Sequence, residues 1–106
     1  MANELMHRLL IFLVFWCGAA IAEETASHDA LINLVHQDCG SCHGLTLKGG
    51  LGPDIRPDTL SHYDIETLSS IVLDGIPDTA MPPWRPLMSE ADAKKIAEYL
   101  LQGEIE

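Results

Sequence analysis

Cys39, Cys42 and His43 stand in the order Cys-x-x-Cys-His. Two thiols three positions apart at the end of a helix lie on adjacent turns of one face. From there they can reach the two vinyl groups along one porphyrin edge and form thioethers. The neighbouring histidine is then held beneath the iron. The spacing therefore predicts one covalently attached haem c, bound through Cys39 and Cys42, with His43 as the proximal iron ligand. Other chemistries also use paired cysteines. A thioredoxin-like dithiol needs strands in a βαβ pattern, which this chain lacks. A zinc site needs four ligands; His36 and His62 could be drafted, but there is no second Cys-x-x-Cys.

An electron-transferring haem iron normally takes a sixth ligand, and a methionine there raises the potential. Met81 stands in Asp78-Thr79-Ala80-Met81-Pro82-Pro83-Trp84. The prolines deny that segment a helix and stiffen it, so a thioether could be held against iron with little reorganisation. Met81 is thus expected as the distal iron ligand, with Trp84 packing on the haem edge. A methionine can equally fill a gap in a core. Met88 and His62 are the rival ligands. Met88 adjoins Ser89, where an apolar residue staples a helix start, and His62 would give bis-histidine ligation at lower potential. His36 is a poor candidate, and Met6 and His7 fall in the expected N-terminal signal. The glycines of Lys48-Gly49-Gly50-Leu51-Gly52-Pro53 would let backbone fold under the haem and offer a carbonyl to the other nitrogen of the iron-bound histidine. This loop lacks the spacing of a phosphate-binding loop.

Three helices are needed to hold these residues. The first is expected over about Asp29 to Asp38, capped by Ser27, with Ala30, Leu31, Leu34 and Val35 at helical spacing. The second is expected from His62 or Asp64 to Asp74, with Ser61 and Asp64 as a capping box and Ile65, Leu68, Ile71 and Val72 on one face. The third runs from Glu90 to about Gln102. Ser89 and Asp92 form its capping box, Ala93, Ile96, Ala97, Leu100 and Leu101 its apolar face, and Gly103 its stop. Loops over Gly44–Thr59 and Ile76–Met88 separate them. No stretch alternates like an amphipathic strand, so the fold class is all-α. Loops so long in so small a domain imply something to wrap.

The N-terminal run Leu9 to Ala22 is too short for the roughly 20 residues that span a bilayer. Ala20-Ile21-Ala22 has the small-x-small pattern of a signal-peptide site, so residues 1–22 are expected to be a cleaved signal and 23–106 a monohaem domain. An uncleaved anchor is the alternative. A lipid anchor at Cys17 is disfavoured by Trp16 before it. The expected location is the periplasm. Of 106 residues, 84 would remain, with Cys39 and Cys42 the only thiols. So short a chain has a small core and needs a staple; the haem is the candidate. The net charge of −10 excludes binding nucleic acid by charge and suits steering toward a basic face of a protein partner.

The chain resembles class I cytochromes c over about Asp29 to Gln102. The resemblance rests on Cys39-Gly40-Ser41-Cys42-His43, Gly52-Pro53, Ile71 to Gly75, Met81-Pro82 and Ala97-Glu98-Tyr99-Leu100. It implies a small fold of helices and long loops around one haem, with His43 and Met81 on iron. It also implies that the Pro53 carbonyl accepts from His43, and that the first and last helices cross near Tyr99. Asp38 to Pro53, together with Met81-Pro82-Pro83-Trp84-Arg85-Pro86-Leu87, is similar to the cytochrome c55X group that accompanies cd-type dissimilatory nitrite reductase. That resemblance implies a monomeric carrier of single electrons, not an enzyme. Its partner would be the nitrite reductase, as electron acceptor, or the maturation machinery of the d-type haem, as electron source. A gas-binding or sensor protein with a displaceable Met81 is the alternative. A peroxidase would need an open iron and a distal acid or base, for which the sequence offers no group.

Overall fold

The computed structural model describes residues 26–103 and the isolated Gly18. The expected signal and its cleavage point after Ala22 lie outside the described residues. Helices α1 (His28–Leu34), α2 (Gly40–His43), α3 (Pro57–Leu60), α4 (Ile65–Asp74) and α5 (Glu90–Gln102) carry the fold, with a π-helical segment over Val35–Cys39 and a 3₁₀ turn over Arg85–Leu87. No strand occurs among the described residues.

The first helix is longer than its hydropathy suggests. Ser27 caps it, its side chain accepting from the Ala30 N–H at 3.3 Å. The chain then runs without a break through the π segment and α2, so Cys39, Cys42 and His43 stand on helix, not beyond its end. The stop is Gly44, whose φ of +88° only glycine adopts readily. Within the π segment the Gly40 N–H donates to the Val35 carbonyl, one residue beyond the α-helical partner.

The start of α4 also differs from the expected capping box. Asp64 is the cap, accepting from the Thr67 N–H at 2.7 Å. Ser61 instead closes α3, donating its hydroxyl to the Asp58 carbonyl at 3.1 Å. Helix α3 begins at Pro57, whose missing N–H costs nothing in a first turn. At α5, Ser89 accepts from the Asp92 N–H at 3.1 Å, and Gly103 ends the helix in the left-handed region. Asp92 is buried, and its Oδ1 has no hydrogen-bond partner, so only half of the expected box forms.

The core is built by α1, α4 and α5, joined by Val35 of the π segment, Leu47 of the loop after α2 and Leu60 of α3. Leu31, Val35, Leu47, Leu60, Leu68, Ile96, Ala97 and Leu100 form its main cluster, and Val72, Leu73 and Ala93 a second one. Met88 packs against both, as a staple residue would. Ala30 is exposed, while Leu34, Ile65, Ile71 and Leu101 are half-buried at the margins of their faces. Tyr99 on α5 meets the first helix at His36. The Tyr99 hydroxyl donates to His36 Nε2 at 2.5 Å, and His36 Nδ1–H donates to the Leu45 carbonyl at 3.4 Å. This histidine ties the first helix, the last helix and the loop after the cysteine motif together.

Candidate functional site

The carbonyls at the end of α2 have no helical partners, and the glycine loop supplies them. The Gly52 N–H donates to the Cys42 carbonyl at 2.8 Å, and the Gly49 N–H to the His43 carbonyl at 2.8 Å. These bonds fold the loop back beneath the cysteine motif. Close approach is possible only without side chains. A Cβ on Gly50 would stand 2.8 Å from the Cys42 carbonyl oxygen, and one on Gly44 would stand 2.6 Å from the Gly49 carbonyl oxygen. Leu47 anchors the loop: it is buried in the main cluster despite a φ of +61° that costs a leucine backbone energy. The Ile55 N–H donates back to the Leu47 carbonyl at 3.0 Å.

The result is a fixed imidazole. His43 Nδ1 lies 2.7 Å from the Pro53 carbonyl oxygen. A carbonyl can only accept, so Nδ1 carries the proton and the neutral ring presents its lone pair at Nε2. Gly52 lies flat against that ring; a Cβ there would stand 2.8 Å from both Nδ1 and Cε1. Beyond Pro53, Arg56 grips Asp54 at 2.7 Å. The Arg56 side chain, aided by its backbone N–H, holds the Asp54 carboxyl down to about 2.

The two thiols are not paired with each other. Burial, reinforced by the Asp38 charge, pushes the Cys39 thiol up to about 11. A dithiol oxidoreductase needs the opposite, a thiol lowered toward neutrality. No group of three or more His, Cys, Asp or Glu side chains that could hold a metal ion occurs among the described residues. The donor set does fit haem c: two separate thiols at the end of one helix, and an adjacent histidine whose Nε2 is a ready iron ligand over a floor cleared of side chains.

Met81 stands on the loop between α4 and α5 and is half-buried. A Cβ on Gly75 would stand 2.6 Å from the Met81 carbonyl oxygen. Trp84 donates its backbone N–H to the Val72 carbonyl at 3.2 Å and packs on Val72, Leu73 and Ala93, so it anchors this loop to α4. His62 is exposed, and its ring lies tilted by 40° against Tyr63 at 4.1 Å between ring centroids. Arg85 bonds both Asp74 and Glu90, at 2.9 and 3.3 Å, and so ties the 3₁₀ turn to both flanking helices.

A protein named cytochrome c55X from Paracoccus denitrificans (strain Pd 1222) is 52% identical over 103 residues, covering 95% of this chain and 100% of that protein. The chain belongs to the cytochrome c55X family. A family model described as cytochrome C oxidase, cbb3-type, subunit III matches residues 22–100. A solved structure titled c-type cytochrome NirC is similar at 49% identity and a TM-score of 0.70, covering 73% of this chain and 91% of that one. A second, titled dihydro-heme d1 dehydrogenase NirN in complex with DHE, is similar at 32% identity and a TM-score of 0.63. It shares 67% of this chain but only 15% of its own length. The cytochrome c55X fold is all-α and its cofactor is a single covalently bound haem c.

Sequence reasoning did not single out Gly75 and Thr79 as neighbours of Met81, although the structure sets both against its backbone. Gly75 reads as a helix stop, and a threonine within a proline-flanked turn carries no hydropathy signal. No helix among the described residues is long and apolar enough to cross a membrane.

Proposed function

We propose that this cytochrome carries single electrons in the periplasm, after removal of residues 1–22 as a signal, for the nitrite-reducing system. Cys39 and Cys42 would hold the haem covalently, and His43 and Met81 would ligate its iron. The observation that carries the reading is the His43 Nδ1–H bond to the Pro53 carbonyl at 2.7 Å. It fixes the tautomer and the orientation of the ring that would ligate the iron, and would strengthen that ring as a donor. Haem c supplies the one-electron chemistry; the chain supplies no acid or base, and sets ligation, environment and docking surface.

Two partners suit this role. One is a cd-type nitrite reductase that takes electrons. The other is the enzyme that completes its d-type haem, from which electrons must be removed. The likeness to part of a dihydro-heme d1 dehydrogenase supports the second, because a dehydrogenation releases two electrons, which two equivalents of a one-electron carrier can take up in turn.

Stopped-flow mixing tests both. The reduced cytochrome is mixed with oxidised nitrite reductase, and the oxidised cytochrome with the dehydrogenase and its substrate. Electron transfer in either reaction supports the carrier reading and selects the partner. A ferric protein without the long-wavelength sulfur–iron band, which also binds carbon monoxide readily once reduced, would sink it.

A further inference from the structure

We infer that the Thr79 hydroxyl and the bare Cα of Gly75 together hold Met81 in place, making both positioning residues for the distal ligand. The inference rests on Met81 being that ligand.

Ile76 to Met81 is a closed loop. The Thr79 N–H donates to the Ile76 carbonyl at 3.2 Å, with Pro77 second in the turn and Asp78 third at a φ of +62°. Proline at the second place and positive φ at the third mark a type II turn. The Ile76 N–H reaches the Met81 carbonyl at 3.4 Å and closes the loop from the far side. Thr79 links the two halves. Its hydroxyl donates to the Ile76 carbonyl at 2.7 Å, and its oxygen accepts from the Met81 N–H at 3.3 Å. Both polar backbone groups of Met81 are thus tied to Ile76, one directly and one through a side chain.

Gly75 sets how close this loop sits to α4. Its φ is +67°, and a Cβ there would stand 2.6 Å from the Met81 carbonyl oxygen, 2.8 Å from the Pro82 carbonyl carbon and 2.9 Å from the Pro83 nitrogen. All three are backbone atoms, which cannot rotate away as a flexible side chain could. After Met81, Pro82 and Pro83 offer no N–H and have fixed φ, so they hold the segment by stiffness, not by hydrogen bonds. Thr79 is therefore the one side chain whose hydroxyl bonds the Met81 N–H, and its loss should be felt at the sulfur.

The test uses full-length holoprotein carrying Thr79→Val, Thr79→Ser, Gly75→Ala and Met81→Ala. Three quantities are read: the ferric sulfur–iron band, imidazole affinity of the ferric form and carbon monoxide affinity of the ferrous form. Thermal midpoints are recorded alongside. Thr79→Val should raise imidazole affinity roughly tenfold, on the scale of one or two lost hydrogen bonds, and weaken the band. Thr79→Ser should retain the parent values, because it keeps the hydroxyl. Gly75→Ala should resemble Thr79→Val or exceed it. Parent-like affinities in Thr79→Val would overturn the inference, as would equal loss in Thr79→Ser. A Met81→Ala protein that keeps the band would instead remove the ligand assignment itself, and the inference with it. If Thr79→Val does not accumulate with haem attached, Thr79→Ala is compared with Thr79→Ser by the same three readings.

Discussion

The imidazole of His43 is held by two features of one short loop, a carbonyl that accepts and a glycine that makes room. The pairing of Gly52 with Pro53 is readable from sequence only through resemblance. Spacing alone says that glycines allow close approach, not which atom is approached. The structure shows that it is the ring itself, with Cε1 and Nδ1 each 2.8 Å from where a Cβ on Gly52 would stand. Gly52→Ala should therefore displace the ring from the Pro53 carbonyl. Overpacking of this kind costs about 1–3 kcal/mol, and each kcal/mol lowers the thermal midpoint of so small a domain by about 4–8 °C. The reduction potential should rise, because a ring that loses its Nδ1 acceptor is a weaker donor and favours the ferric iron less. Calorimetry and potentiometry on the holoprotein check both effects. An unchanged midpoint with an unchanged potential would mean that the loop yields freely and does not position the ring.

Among the elements, α5 was the most legible. Ser89, the Ala93–Ile96–Ala97–Leu100 face and Gly103 all act as their spacing suggests. The first helix was legible at its start and not at its end. Asp38, Cys39 and Ser41 break the apolar pattern, which makes the helix seem to stop, yet it continues because Gly44 turns the chain and the folded-back loop satisfies the last carbonyls through Gly49 and Gly52. The π segment leaves no hydropathy trace, since it shifts the register by one residue within a single turn. Helix α3 is too short for any periodicity to register, and only Pro57 marks it. The value of the legible face can be measured. Ile96 is fully buried, so Ile96→Ala should lose about 2–5 kcal/mol through lost burial and the cavity left behind. Leu101 on the same helix is half-buried, and Leu101→Ala should cost clearly less. Equal losses at the two positions, by denaturant unfolding of the holoprotein, would show that α5 does not face the core as described.

For the molecule as a whole, charge is the property that reaches furthest. The net charge is −10, and the ion pairs among the described residues take up Arg56, Arg85 and Lys94. Much of the positive charge is thus neutralised within the chain, while Asp29, Asp38, Asp58 and Asp78 remain exposed. These surface pairs add little to stability, but they shape the field that a partner meets. An acidic carrier approaching a basic face should associate faster than an uncharged one by a factor between about 10 and 10³ at low salt. Raising ionic strength from about 0.01 M to 1 M shortens the Debye length from about 30 Å to 3 Å and removes most of that gain. The second-order rate of electron transfer with the physiological partner should therefore fall at least roughly tenfold across that range, while the first-order step within the complex stays constant. Stopped-flow at varied protein concentration separates the two steps. A rate that rises with salt would mean that the partner presents an acidic face, and charge steering would then have to be abandoned as the means by which this cytochrome finds it.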